Sequence, residues 1–191
     1  AVAQMGRLGH QVSEISPPFD AEAMWESWIT LRSFSVAAVL AAIYNDPAKR
    51  DYLKPAAQWE IARGLALSAM QVHDASVVRS NWYRAAARMF GDVDVVILPS
   101  AQLWPFPVED VHPTQIAGRE MDTYHRWMQV VVPAGLIGLP VVNVPAGFGE
   151  AGLPGGLQLI GRHGSDAQLL GLAQQWHEAT HWPQQRPPVF P

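Results

Sequence analysis

The segment from Trp127 to Ala173 constrains the fold most, because its periodicity changes between helix and strand in a fixed order. Helical spacing runs up to Pro133, and a proline inside that pattern predicts a kink or restart near Val132. Two β-rich runs, VVNVPAGF and GGLQLIG, follow with the turn-forming residues GEAGLP between them, which predicts a hairpin. Ser165 and Gln168 then form a capping-box pattern that opens a last helix. The apolar stripe of that helix contains Leu169, Leu172, Ala173 and Trp176. This order is typical of an α/β fold in which helices cover a sheet.

The chain before this segment predicts further helices and strands. AVAQMGRLGH is typical of the last turns of a helix that stops at Gly9, which leads us to expect further sequence before it. QVSEISPPFD predicts a short strand in which Val12 and Ile15 alternate with polar residues. From the capping residue Asp20, a helix is predicted to run to Tyr44. Its expected buried face comprises Trp25, Trp28, Val36, Val39, Leu40 and Ile43.

A second long helix is predicted from Ala56 to Phe90, after the loop NDPAKRDYLKP. Its apolar stripe contains Ile61, Leu65, Val72, Tyr83 and Phe90, and Arg79 falls on the same stripe. The β-branched run from Val93 to Leu98 then predicts a strand buried on both faces of a sheet. Residues just beyond Leu98 are pocket candidates, since ligands gather at the C-terminal ends of parallel strands.

Composition excludes several classes of function. The formal charge is -4 and the only lysines are Lys49 and Lys54, so we expect neither nucleic acid nor a membrane surface as a partner. Apolar runs are broken before the roughly 20 residues that span a bilayer, which predicts a soluble protein. The chain contains no cysteine, which favours the cytoplasm. At 191 residues it is predicted to form a single domain.

The stretch from Asp92 to Ala179 closely resembles the C-terminal portion of the amidase signature family, serine hydrolases that cleave carboxamide bonds. The resemblance is weaker from Tyr52 to Gly91. It implies an α/β fold with a mixed β-sheet core covered by helices, and no metal or organic cofactor. Three departures from the family pattern are Leu98 and Ser100, where threonine is usual, and Gly135, where asparagine is common.

The resemblance also implies chemistry that this chain does not contain. In the family, one serine attacks the amide carbonyl, and a second serine and a neutral lysine relay its proton to the departing amine. The chain has no pair of adjacent serines, and both lysines lie in a polar loop, where a lysine stays protonated. We therefore expect no catalytic residue here and an N-terminal part of the same enzyme as partner. If the strands of one sheet are split between this chain and that part, the chain alone exposes an unpaired strand edge, which favours self-association.

Six residues are candidates for contact with the apolar group of an amide substrate: Leu103, Trp104, Tyr124, Trp127, Met128 and Ile137. We refer to them as the wall residues. Leu103 and Trp104 follow the strand at Val93–Leu98 in a proline-rich loop, and aromatics in such loops also serve to pack the loop itself. The others belong to the segment around Pro133, which helps to build the substrate pocket in the family. The alternative for Tyr124, Trp127 and Met128 is plain core.

Arg79 has two interpretations. It can clamp a substrate carboxylate through paired hydrogen bonds. It can instead tie helix to sheet, which is favoured because the family carries an arginine in the corresponding helix across enzymes with different substrates.

Other motifs carry little weight. His177, Glu178 and His181 spell H-E-x-x-H, but at the end of a terminal helix that provides neither a third ligand nor a cleft, so no metal site is predicted. The glycines near Gly155 lack the phosphate-loop pattern. Gln158 lies in a buried strand, needs hydrogen-bond partners and is assigned a structural role. The sequence thus predicts an amidase portion that is inactive alone, or a non-catalytic binding module derived from one.

Overall fold

The structure, a computed structural model, describes residues 1–185 and consists of six α-helices, five strands and short 3-10 turns within that range. The helices are α1 (Val2–Arg7), α2 (Ala21–Asn45), α3 (Pro55–Leu65), α4 (Ala69–Met89), α5 (Val132–Ile137) and α6 (Asp166–Thr180). The strands are β1 (Val95–Pro99), β2 (Gln115–Ile116), β3 (Arg119–Glu120), β4 (Val141–Phe148) and β5 (Pro154–Gly161). The chain divides into two compact units, one of residues 17–85 and one of residues 1–16 and 86–191.

The unit of residues 1–16 and 86–191 contains the main sheet, whose strand order is β1-β5-β4. The predicted hairpin is confirmed, because β4 and β5 pair antiparallel with Val142 opposite Leu159. The pairing of β1 with β5 is also antiparallel, so the parallel pairs that a mixed sheet contains do not lie among the described strands. Among the described strands, β1 therefore lies at the edge of this sheet. Val95 and Ile97 pack against the apolar cluster on one face, and Val96 and Leu98 pack against the cluster on the other. Its predicted burial on both faces is confirmed in part, because these residues are only half-buried.

One face of this sheet carries the larger apolar cluster. Its buried members are Met5, Val144, Leu157, Leu159, Leu169 and Trp176. α6 contributes the predicted stripe, and the Trp176 indole N–H also donates to the Pro145 carbonyl at 2.8 Å. That carbonyl adjoins a register shift between Pro145 and Gly147, so α6 binds β4 where its ladder is irregular. α6 begins after Ser165 as predicted, but the Ser165 hydroxyl donates to the Arg162 carbonyl and makes no capping bond.

The opposite face packs on α5 through Ala134, Leu139 and Ile160. A 3-10 turn, Arg126–Val131, precedes α5, which starts at Val132. The predicted restart of the helix there is confirmed. α5 ends at Gly138, which adopts a left-handed conformation with φ of 68° that suits a residue without a side chain.

The unit of residues 17–85 is built around α2 and α3. The Asp20 carboxylate accepts from the backbone N–H groups of Glu22 and Ala23 at 2.9 Å, which confirms the predicted start of α2. Met24, Trp25 and Ile29 are buried in this unit. Gly64 of α3 lies directly against the backbone of α2 at Ser33, where a Cβ would overlap the carbonyl oxygen. Glycine at this position therefore allows the two helices to approach closely.

Two elements differ from the sequence predictions. Residues 11–16 form no strand, and Val12 and Ile15 are about two-fifths exposed, because no neighbouring strand pairs with this segment in the described chain. The predicted helix from Ala56 to Phe90 is two helices. Ser68 separates them, and its N–H donates to the Gln71 side chain at 2.8 Å while the Gln71 N–H donates to its hydroxyl. That reciprocal pair is a capping box that starts α4.

Burial along these helices was predicted only in part. Trp25 and Ile61 are buried, whereas Val39 is 76% exposed and Leu65 and Tyr83 are about half exposed. Arg79 is also exposed, so the expectation that it faces protein was wrong. A helical stripe gives the spacing of a face but not which face meets the neighbouring element.

α2 is long and apolar enough to cross a membrane by length and composition. Arg32 interrupts it, so its longest run without a charged residue, residues 33–45, is shorter than the roughly 20 residues of a span. Only 28% of its most apolar stretch is buried. Core helices of soluble proteins satisfy the same criterion.

Candidate functional site

Tyr124 is the wall residue whose ring has the clearest surroundings. Its ring stands edge-on between His112, at 5.6 Å between centroids, and His125, at 5.2 Å. His125 is buried, whereas Tyr124 is 38% exposed. The two imidazoles therefore hold the phenol ring in place while part of it remains accessible to a ligand.

Trp127 lies on the 3-10 turn Arg126–Val131 and is half-buried. Phe106, from the proline-rich loop, packs edge-on against it with ring centroids 5.6 Å apart. The Trp127 indole nitrogen is buried and has no hydrogen-bond partner within residues 1–185. Because that nitrogen is out of contact with solvent, Trp127 offers apolar surface and not a hydrogen bond to a ligand.

Trp104 packs against the β4–β5 hairpin and also faces solvent. Its indole occupies the space that a Cβ would need at Gly149 and Gly155, with atoms 2.9 to 3.1 Å from those positions. The residue is nonetheless 56% exposed. One side of the ring therefore packs on the protein and another is open, and contact with a substrate stays a prediction.

Two of the remaining wall residues, Leu103 and Met128, lie close in sequence to Gln102 and Val130, which are joined by a hydrogen bond. Leu103 and Met128 are half-buried. Ile137 packs with the apolar cluster of α5 and the sheet, so core packing accounts for it. The structure joins the two wall segments through Gln102, whose side-chain oxygen accepts from the Val130 N–H at 2.9 Å.

Two polar residues of this region were missed in the sequence. Arg126 is only 5% exposed, and its Nε lies 3.8 Å from the Asp122 carboxylate, four residues earlier. Gln102 was passed over because a polar residue in a proline-rich loop gives no periodic signal. The i, i+4 spacing of Asp122 and Arg126 was the available sign that this arginine has a nearby carboxylate.

The H-E-x-x-H residues lie at the end of α6. The rings of His177 and His181 are 5.8 Å apart, and His181 adopts a left-handed backbone conformation after the helix ends. The Glu178 carboxylate accepts from Gln174 at 2.8 Å, along the helix surface. No group of three or more potential metal ligands occurs in the described part of the chain. The tail QQRPPVFP that follows α6 was predicted to provide no third ligand, and its residues 186–191 lie outside the described residues.

Comparison with known proteins identifies the family. The Amidase family model matches residues 1–170. An acylamidase of Rhodococcus erythropolis is 27% identical over 190 residues, which is 98% of this chain and 39% of the acylamidase. A glutamyl-tRNA(Gln) amidotransferase polypeptide of Thioalkalivibrio sulfidiphilus is 36% identical over 104 residues, 54% of this chain and 20% of that polypeptide. The chain thus spans well under half the length of these relatives.

Solved structures agree on the fold. An amidase superposes with a TM-score of 0.81 at 23% identity, covering 93% of this chain and 39% of the amidase. A bacterial aryl acylamidase of the amidase signature family gives 0.81 at 20% identity and covers 96% of this chain and 40% of its own. A 6-aminohexanoate cyclic dimer hydrolase gives 0.78 at 20% identity, covering 98% and 41%. The chain belongs to the amidase signature family.

Proposed function

We propose that this chain is the C-terminal portion of an amidase that cleaves carboxamide bonds to a carboxylate and ammonia or an amine. In this proposal, it supplies scaffold and one side of the substrate pocket, and the Ser-Ser-Lys catalytic groups lie in sequence upstream of it. The observation that carries the proposal is the Amidase family match over residues 1–170 of a chain without adjacent serines. The 39% coverage of the acylamidase supports it.

The accessible wall residues support an apolar group on the substrate. Trp104 and Tyr124 present open aromatic surface, and each is held from one side by other residues. Aromatic surface fixed in this way binds a flat apolar group with little loss of side-chain freedom. An aryl or long-chain amide is therefore the proposed substrate class, handled in the cytoplasm without a cofactor.

The proposal is tested with the purified 191-residue chain and a simple aryl amide such as an anilide. We expect no turnover by the chain alone, and turnover when it is combined with the N-terminal part of the same enzyme. Release of the aryl amine is followed by absorbance. Turnover by the chain alone would contradict the proposed location of the catalytic groups.

The alternative is a non-catalytic binding module that kept the pocket side and lost the chemistry. The reading frame upstream of Ala1 discriminates between the two. A Gly- and Ser-rich motif with an upstream lysine supports the amidase, whereas a start codon close to Ala1 supports the module. Stoichiometric zinc in a purified sample would instead favour a metalloenzyme.

A further inference from the structure

The peptide groups on the two sides of Val130 are held by glutamine side chains from other segments. The Val130 N–H donates to Gln102 Oε1 at 2.9 Å, and its carbonyl accepts from Gln158 Nε2 at 3.3 Å. The same Gln158 nitrogen donates to the Pro99 carbonyl at 2.8 Å. We refer to Gln102 and Gln158 as the glutamine clasp.

The turn that the clasp holds is weak by its own hydrogen bonding. Arg126–Val131 is a 3-10 helix, a form with poorer hydrogen-bond geometry than an α-helix. In that geometry the carbonyl of Val130 accepts from the N–H of residue 133, and residue 133 is a proline without an N–H. Gln158 supplies a donor to this carbonyl in place of the N–H that residue 133 lacks.

The buried location of Gln158 indicates that glutamine occurs there because of its hydrogen bonds to the Pro99 and Val130 carbonyls. Strand alternation places it on the sheet face that carries Ile160 and packs against α5, and it is only 2% exposed. A buried amide costs free energy unless it is hydrogen-bonded, and leucine would fill a similar volume without that cost. A glutamine here is favourable because it bridges the end of β1 and the turn before α5.

We propose that Gln102 and Gln158 are positioning residues that fix the Arg126–Val131 turn, and with it Trp127 and Met128, against the end of β1. The clasp gives the side of the pocket a preset shape before substrate binds. This role in substrate binding rests on the proposed amidase function, whereas the fixing of the turn does not.

Replacement by glutamate has opposite expected effects at the two positions, because Gln102 accepts a hydrogen bond and Gln158 donates two. At position 102 the side chain acts as an acceptor, so Gln102→Glu keeps the bond and Gln102→Leu removes it. At position 158 it acts as a donor to two carbonyls, so Gln158→Glu places a carboxylate against two acceptor oxygens. Only the protonated acid of that variant can donate, and then to one carbonyl.

The first experiment measures amide hydrogen exchange of peptides covering residues 126–131 in the 191-residue chain. Gln158→Glu and Gln102→Leu should exchange about tenfold faster at neutral pH, the effect of losing one hydrogen bond. Gln102→Glu should exchange like wild type. After correction for the intrinsic pH dependence of exchange, Gln158→Glu should regain part of its protection as the pH falls. Gln174→Glu, on the surface of α6, is the matched control and should leave these peptides unchanged.

The second experiment compares KM and kcat in the complete amidase. Loss of the clasp should raise KM for an aryl amide about three- to tenfold with a smaller effect on kcat, because binding surface is displaced and the reacting groups are not. Gln102→Glu should keep the wild-type KM, because glutamate still accepts the bond from the Val130 N–H, whereas Gln102→Leu should raise it. A KM raised equally in both variants would indicate general destabilisation and not loss of this bond.

The outcomes separate the two claims. Unchanged exchange in both Gln158→Glu and Gln102→Leu overturns the clasp, and if Gln158→Glu does not fold, the two variants at position 102 decide alone. Faster exchange with an unchanged KM overturns the role in substrate binding. An inactive complete protein contradicts the proposed amidase function, and the exchange data still decide whether the clasp fixes the turn.

Discussion

At the scale of single residues, the main chain of a neighbouring element restricts which residue type fits at several positions. Gly64 is the clearest case, because α3 lies against the Ser33 carbonyl of α2 and leaves no space for a Cβ at this position. Gln158 is a second case, since its amide serves two carbonyls that lie 28 and 59 residues away in sequence. Substitution at such positions acts through backbone placement.

Gly64→Ala should destabilise the protein by about 1–3 kcal/mol, since the new methyl group overlaps the Ser33 carbonyl and lies 2.6 Å from the Ala37 Cβ. Gly171→Ala is the matched control, because it lies inside α6 with no atom within 4 Å of the new Cβ. It should stabilise by up to about 1 kcal/mol through helix propensity. Chemical denaturation followed by circular dichroism measures both. Equal effects of the two substitutions would contradict the close helix crossing.

At the scale of secondary structure, helix ends were more predictable than helix faces. Asp20 identified the start of α2, because a capping side chain acts on N–H groups two and three residues ahead. Ser68 and Gln71 carried the same kind of signal, and overlooking it merged α3 with α4. The exposure of Val39 and Arg79 could not be read from spacing, since it depends on which elements lie alongside.

Ser68→Ala should destabilise the protein by about 1 kcal/mol, because the N–H of Gln71 loses its acceptor at the start of α4. Ser35→Ala is the control, since the Ser35 hydroxyl only donates back to the Leu31 carbonyl within α2. That bond adds nothing to helix stability, and its removal should be neutral or slightly stabilising. The difference in thermal midpoint between the two variants is the measurement. A larger loss in Ser35→Ala would show that the cap is not formed.

The site was predictable to a smaller extent than the elements. Tyr124, Trp127 and Met128 were placed near one another by their position on a single segment, and the structure puts Trp127 against Phe106 from a separate loop. The clasp could not be predicted, because it joins a loop, a strand and a turn that meet only in the folded chain. Ile137 packs beside the sheet as a half-buried residue, and its contact with a substrate stays a prediction.

At the scale of the whole molecule, the chain has a sheet with two edges among its described strands, formed by β1 and β4. Unpaired edges favour association with another strand. We therefore expect the purified chain alone to self-associate, and to form a defined complex when the N-terminal part of the enzyme is supplied. Light scattering coupled to size-exclusion chromatography gives the mass in each case. A stable monomer with a sharp unfolding transition would contradict this expectation.

The contact between Trp104 and the hairpin has an evolutionary consequence. Because the indole covers bare main chain at Gly149 and Gly155, a related protein with a larger residue at either position has no room for the same ring. We expect these sites to covary, with the bulky aromatic retained only where both glycines are kept. In the proposed amidase, substrate preference should then shift along with the glycines, because replacing either glycine displaces one of the proposed wall residues.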